Sequence, residues 1–385
     1  MWQMNSRTLK IILIILAVLA VLAVASGLLL NVLGVDILCV RSENGRLIIS
    51  PCEAETALTA DTNPPQIATD ARPVLIDTDM AVDDWLAILY LLQRPDVDVR
   101  AITIAGTGEA HCDPGVQNAM DLVALAGRPG IPVACGRETP LQGDHVFPQS
   151  WRDNVDRLAG LSIPANPGRP LGENAAALIA GAVRDAGGDL LIVTLGPLTN
   201  LAGAFAQDPA LAEAVNEIFI MGGALSVPGN VGSVPEAGIE NDNAEWNIYV
   251  DSHAASLVLA SGAPVTIVPL DATNQVVLDR AFYDRLGGDR ATPEAEFVYQ
   301  ALTNNIGFVN SGFYYFWDPL TAALAVDESL GSFDRRPVLV VEEEGPEVGA
   351  VRVDADGSLV MITTAVEGER FKQEFLDVIN GRMGE

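Results

Sequence analysis

From Pro73 onward, short apolar runs alternate with stretches whose apolar residues recur every three or four positions. Val74-Leu75-Ile76 is a compact apolar run and predicts a buried strand. Asp83 to Gln93 carries Trp85, Leu86, Ile88, Leu89 and Leu92 at helical spacing. Val99 to Ile104 reads as a strand, and Pro114 to Ala126 as a helix with proline in its first turn. Leu190 to Thr194, Ile218 to Met221 and Pro264 to Val268 are further strands. Residues 279–326 read as mostly helical. Val338 to Val341 and Leu359 to Thr363 add strands, and a last helix falls near 367–380. Such alternation predicts an α/β fold, with a mostly parallel central sheet flanked by helices. No internal repeat is present.

The N-terminus has a different pattern. Ile11 to Val35 carries no charge and follows Arg7 and Lys10. An apolar helix of about 20 residues crosses a bilayer, whereas a cleaved secretory signal has an apolar region of only about 7–15. The expectation is an uncleaved transmembrane helix at 11–35 behind a short cytoplasmic N-terminus at 1–10; Ala23-Val24-Ala25 keeps cleavage as the alternative. Leu38-Cys39 lacks a small residue before the cysteine, against a lipid anchor. Residues 36–72, rich in Thr, Ala, Pro, Asp and Glu, read as a linker, and 73–385 as the catalytic domain. The expected localisation is membrane-anchored, with that domain extracytoplasmic, although Arg41 and Arg46 nearly balance Arg7 and Lys10.

Charge removes one class of function. The chain has 22 basic and 51 acidic residues, a net charge of -29, and no Lys/Arg run. Nothing here neutralises phosphates, so nucleic acid is not an expected partner. The four cysteines form no CxxC pair and only three histidines exist, which speaks against zinc. Cys39 and Cys52 leave two readings open, a disulfide or two unrelated thiols.

The candidate chemistry lies in Asp77-Thr78-Asp79-Met80-Ala81-Val82-Asp83-Asp84. Asp77 and Asp79 close the first strand of the domain, while Asp83 and Asp84 open the next helix. Ligands of open α/β sheets bind beyond the carboxyl ends of strands. Four crowded carboxylates repel one another unless a cation sits among them, and an all-oxygen set favours calcium or magnesium. Capping explains one aspartate, Asp83, but not four. A phosphatase with an attacking aspartate also uses Asp-x-Asp, yet it needs no second Asp pair and wants a downstream lysine and a Ser/Thr, and the apolar strands here end in Gly-rich loops without that lysine.

Three later segments sit at similar positions. Thr194-Leu195-Gly196-Pro197 turns tightly after a strand and exposes carbonyls. Glu245-Trp246-Asn247 follows a polar loop containing Asn230. Tyr314-Tyr315-Phe316-Trp317-Asp318-Pro319 starts a helix. Carboxylate, amide and aromatic groups together suit a sugar bearing a flat ring.

In order and spacing these motifs resemble the nucleoside hydrolases, calcium-dependent N-ribohydrolases, over about 310 residues from Pro73. Met80-Ala81 stands where Pro-Gly is common in that family. The resemblance implies calcium held by Asp79, Asp84, the Leu195 carbonyl and Asp318. It implies that Asp79 takes the proton of the attacking water, and that Asp83, Asn230, Glu245, Asn247 and Asp318 hold ribose. Asp77 supports from behind. Trp317 stands where some branches place a histidine, and Trp151 lies where the purine-specific branch has another tryptophan. Two indoles sandwiching a base favour its protonated form, which resembles the inosine–adenosine–guanosine branch. Glu109 or His111 replaces an asparagine that touches substrate in the family. The expected function is calcium-dependent hydrolysis of purine ribonucleosides, in a possible homo-oligomer; the alternative is a nucleoside- or sugar-binding protein without turnover.

Overall fold

The computed structural model describes residues 58–171 and 174–383, with the backbone of 38–43 and 46–51. The chain forms two compact units, Met1–Ala57 and Leu58–Glu385. In the first, β1 (Leu38–Glu43) pairs antiparallel with β2 (Arg46–Pro51), inside the segment read as a linker. The transmembrane helix expected at 11–35 lies outside the described residues. Among the described residues no helix is long and apolar enough to cross a membrane. That corrects the expected localisation, because the described chain offers no span to hold the domain at a bilayer.

The rest of the expected linker is not a free tether either. Asp61 N donates to Leu125 O at 2.6 Å, Ala68 N to Pro95 O at 2.8 Å, and Arg128 Nη2 to Pro65 O at 2.9 Å. These bonds fix residues 61–68 within the second unit. Cys112 and Cys135 form a disulfide with Cα atoms 5.6 Å apart. Pairing of Cys39 with Cys52 falls outside the described side chains.

The second unit is built on nine strands. They are β3 (Arg72–Thr78), β4 (Val97–Ile104), β5 (Val133–Cys135), β6 (Leu191–Thr194), β7 (Glu217–Met221), β8 (Val265–Val268), β9 (Gly331–Val340), β10 (Val351–Val353) and β11 (Ser358–Val366). Their order is β10-β9-β11-β8-β7-β6-β3-β4-β5. The seven strands from β11 to β5 run parallel, and β9 and β10 add an antiparallel edge.

Buried parallel strands need apolar residues on both faces, and the short runs supply them. Along β3, Val74 and Ile76 enter one apolar layer and Leu75 the other. The first layer holds Trp85, Phe297, Phe316 and Phe375, and the second holds Ile192, Ile218, Ile220 and Val258. The Val82–Leu92 helix is buried from Asp84 to Leu92. Its far end is fixed by Arg94, whose Nη1 donates to Glu374 Oε1 at 2.7 Å, and by Tyr90 stacked on Phe375 at 5.6 Å.

The topology decides where a site forms. From β3 the chain moves outward through β4 to the edge strand β5, then returns to β6 on the other side of β3. The crevice at this reversal, between the carboxyl ends of β3 and β6, is where open α/β sheets bind ligands.

One buried group predicts a measurable pH effect. Glu294, in the first turn of the Pro293–Asn304 helix, is fully buried, and burial pushes its carboxyl from 4.5 up to about 7. The neutral form is the one the fold accepts. Its stability contribution is therefore complete below pH 4.5 and is lost as pH rises through about 7, a loss of roughly 3 kcal/mol. Glu294→Gln is expected to remove that slope, so the variant gains stability over the parent at pH 8 but not at pH 4. Urea midpoints at the two pH values read this; equal slopes for the two proteins would refute it.

Candidate active site

At the end of β3 the chain reverses within four residues. Met80 adopts φ 62°, a left-handed conformation costing a non-glycine residue roughly 1–2 kcal/mol. Trp85 Nε1 donates to Met80 O at 2.8 Å and holds this turn. The Val82–Leu92 helix then begins, with Asp83 and Asp84 in its first turn. Asp84 reaches back: its Oδ1 accepts from Thr78 Oγ1 and from Asp79 N, the latter at 3.2 Å. Its other oxygen, Oδ2, is buried without a hydrogen-bond partner.

Asp318 enters from the opposite end of the sequence, in the first turn of the Trp317–Val326 helix. Oxygens of Asp83, Asp84 and Asp318 all lie within 4.8 Å of one another. Burial comes first among the causes that raise these acids. Asp84 and Asp318 are held well above the ordinary carboxyl range, Asp84 raised further by Asp79 and Asp83 and Asp318 by Asp84 and Asp83, while Asp83 rises to about 7. Three clustered carboxyls and an unpartnered buried oxygen fit a hard divalent cation, which would restore their charge.

Asp79 stands beside this cluster, 2% exposed, its carboxyl raised by burial to about 6. The Glu109 backbone N–H donates to Asp79 Oδ2 at 3.1 Å, and Ala110 N to Asp79 O at 2.9 Å. Glycines let the neighbouring loops close on it. A Cβ at Gly108 would lie 2.1 Å from that of Asp79, and one at Gly196 would lie 2.8 Å away. Behind it, Asp77 Oδ1 accepts from Thr103 Oγ1 at 2.6 Å and Asn200 Nδ2 at 2.8 Å, and burial raises Asp77 to about 7.

Asp83, expected to hold sugar, has an oxygen within 4.8 Å of oxygens of Asp84 and Asp318, and Asp79, expected to hold the metal, accepts the Glu109 N–H through Oδ2 at 3.1 Å. The Leu195 carbonyl accepts from Asn247 Nδ2 at 3.1 Å. Glu245 caps the Trp246–Val250 helix: Oε1 accepts from Asn247 N at 2.8 Å, and Oε2 from Gly223 N at 3.1 Å and Ile248 N at 3.2 Å. Burial raises its carboxyl to about 7. Asn230 Oδ1 accepts from Trp246 N at 3.1 Å.

All of these except Asp77 line one cavity of about 1110 Å³, together with Glu109, Trp151 and Trp317. His111 does not line it. Its Nδ1 sits 2.7 Å from Asp156 Oδ2, and its N–H donates to Asp156 Oδ1 at 3.0 Å, which ties the residue to the end of the Gln149–Val155 helix. The two expected indoles, Trp151 and Trp317, both line the cavity. Trp151 packs on Trp246 at 5.6 Å, and Trp246 stacks on Phe147 at 5.1 Å. Trp317 packs with Tyr314 and Tyr315, both at 5.7 Å. The two tryptophans thus belong to separate aromatic groups of one cavity.

Sequence reasoning missed Arg152, Gly108 and the Cys112–Cys135 bond. Arg152 is 7% exposed and donates to the Gly106 carbonyl at 3.1 Å and the Glu109 carbonyl at 3.3 Å, pinning the loop that carries Glu109. The Gly106-Thr107-Gly108 spacing was the available signal for a loop pressed against the site.

The fold is thus a mostly parallel α/β sheet with a carboxylate site at its reversal point. The chain matches the profile of the inosine-uridine preferring nucleoside hydrolases over residues 74–373, and it belongs to that family. It is 31% identical over 326 residues to the pyrimidine-specific ribonucleoside hydrolase RihA of Salmonella schwarzengrund, covering 81% of this chain and 98% of that one. With uridine nucleosidase 1 of Arabidopsis thaliana it shares 32% identity over 284 residues, 73% of this chain and 81% of the relative. Its match spans only 60% of the probable uridine nucleosidase 1 of Oryza sativa. Among solved structures, the plant nucleoside hydrolase PpNRh1 superposes with a TM-score of 0.72 at 29% identity, covering 80% of this chain and 99% of that one. The purine-preferring ribonucleoside hydrolase of Gardnerella vaginalis gives 0.68 at 29%, covering 81% and 99%.

Proposed function

We propose that this protein hydrolyses the N-glycosidic bond of purine ribonucleosides in a calcium-dependent reaction. One observation carries the reading: Asp79 stands beside the Asp83–Asp84–Asp318 cluster, and both open into an aromatic-walled cavity. Asp84, Asp318 and neighbouring oxygens would hold calcium, and its charge would orient water and sugar hydroxyls. Asp79 accepts a proton from the attacking water. As the bond to the base breaks, positive charge grows on the sugar ring and the surrounding carboxylates stabilise it. Asn230, Glu245 and Asn247 face the ribose, their positions set by the cap of the Trp246–Val250 helix.

Names among the relatives point to both uridine and purines, so the base is argued from the cavity. The cavity is lined by Trp317, Tyr314 and Tyr315 and by Trp151 and Trp246. Broad aromatic faces suit a bicyclic base and favour its protonated form as it departs. The test is release of hypoxanthine from inosine, adenine from adenosine and uracil from uridine by calcium-loaded protein. If no base appears from any of the three, the hydrolase reading fails. Trp317→Ala is expected to lower kcat/KM for inosine by about 10–100-fold, the worth of one base stack. A variant that keeps full purine activity removes the stacking role.

A further inference from the structure

We propose that Arg152, which does not line the cavity, is a positioning residue for Asp79: its guanidinium holds the 106–110 loop, and through it the Asp79 carboxyl, in place to take a proton from the attacking water. It rests on Asp79 being the proton acceptor of the hydrolase proposed above, and adds a residue to that machinery.

The contacts run in series. Arg152 is 7% exposed and sits on the Gln149–Val155 helix. Its Nη2 donates to Gly106 O at 3.1 Å and its Nε to Glu109 O at 3.3 Å, so one planar fork grips the loop on both sides of Gly108. Among the described residues no other group donates to either carbonyl. Between the two grips the loop presses on the acid, since a Cβ at Gly108 would stand 2.1 Å from that of Asp79. The Glu109–Ala110 peptide carries the contact onward. Its carbonyl accepts from Arg152, and its N–H, that of Ala110, donates to Asp79 O at 2.9 Å. A cationic donor on the carbonyl polarises this peptide and strengthens its N–H as a donor. The preceding N–H, that of Glu109, donates to Asp79 Oδ2 at 3.1 Å and restrains the rotation of the carboxyl. Two consecutive N–H groups thus converge on Asp79, with the guanidinium behind them.

The helix that carries Arg152 is itself anchored. Asn118 Nδ2 donates to Val155 O at 3.0 Å, and Asp156 Oδ1 accepts the His111 N–H at 3.0 Å, just past the loop. Without the fork the loop keeps its ends but loses the hold on its middle, where Asp79 is contacted. Displacing a reacting group by about 1 Å can cost about 100-fold in rate. The loss falls on kcat, because Arg152 itself touches no part of the cavity where substrate binds.

Arg152→Met keeps the reach of the side chain and removes every donor. In the calcium-loaded full chain, kcat for the best substrate among inosine, adenosine and uridine is expected to fall about 10–100-fold, with KM within about threefold of the parent. Arg152→Lys keeps the charge but not the fork, so its kcat should lie severalfold above that of the methionine variant and severalfold below the parent. A double-mutant cycle reads whether the effect passes through Asp79: in an Asp79→Asn background, Arg152→Met should cost less than about threefold more. A merely structural role would add its loss in both backgrounds. Parent-like kcat in Arg152→Met, a loss carried by KM, or full additivity in the cycle overturns the proposal. If melting curves show the methionine variant unfolded at the assay temperature, the lysine variant decides, and a kcat equal to the parent's overturns the proposal. Undiminished turnover in Asp79→Asn overturns the reading beneath it instead, since that variant leaves Arg152 and its two carbonyl contacts in place.

Discussion

Asp79→Asn is expected to lower kcat for inosine by roughly 10²–10⁴-fold, the range that a positioned proton acceptor contributes, and Asp79→Ala to abolish measurable turnover. The asparagine keeps an oxygen where Oδ2 accepts the Glu109 N–H at 3.1 Å, so the loop retains its anchor. What it loses is the ability to take a proton from water. Folding should not suffer. Burial already lifts the Asp79 carboxyl to about 6, so the fold disfavours its charge. The neutral amide relieves that cost at pH values above 6, and the melting temperature should hold or rise. Steady-state kinetics beside thermal melts separate the two effects. A variant within tenfold of the parent in kcat would remove Asp79 from the chemistry.

The second large effect concerns the cation. Chelation is expected to bring turnover below detection, with calcium restoring it, and Asp84→Asn should weaken calcium binding by at least about 100-fold through loss of a charged ligand. Proton release is the more discriminating measure. Without a cation, burial and mutual repulsion hold Asp84 and Asp318 well above the ordinary carboxyl range and Asp83 at about 7. Their neutral forms are present through mildly acidic pH and are lost as pH rises past those raised values. Binding at pH 6 must therefore expel protons, and affinity must increase with pH. Calorimetry in two buffers of different ionisation enthalpy counts them. Affinity that is flat from pH 5 to 8, or turnover undiminished by chelator, would exclude the cluster as the cation site.

Much of the parallel sheet was legible because its strands are short apolar runs buried on both faces. Val74-Leu75-Ile76 and Ile218 to Met221 need no tertiary information to be read. β5, three residues long, and the polar first half of β9, Gly-Ser-Phe-Asp-Arg-Arg-Pro, carry no such pattern and are strands only because a neighbour pairs with them. The acidic cluster was visible since four like charges in eight residues demand an explanation. The division of labour within it was not. Bringing Asp318 to Asp83 and Asp84 depends on a helix from the far end of the chain, which local spacing does not reveal. The neighbours of the two indoles were not legible for a related reason: spacing cannot tell which of several aromatics becomes a residue's packing partner.

The reversal of strand order at β3 also governs how the molecule comes to exist. Asp84 and Asp318 are brought together from nearly opposite ends of the domain, and the intervening chain must first lay down β4 through β8. Parallel pairings over such long sequence separations form slowly, because loop closure opposes them before contacts repay it. A nascent chain emerging from the ribosome therefore carries an acidic turn with no partner until the Trp317–Val326 helix has been synthesised. A bound cation would then be a late checkpoint of folding, held only by chains that have brought this helix to the end of β3.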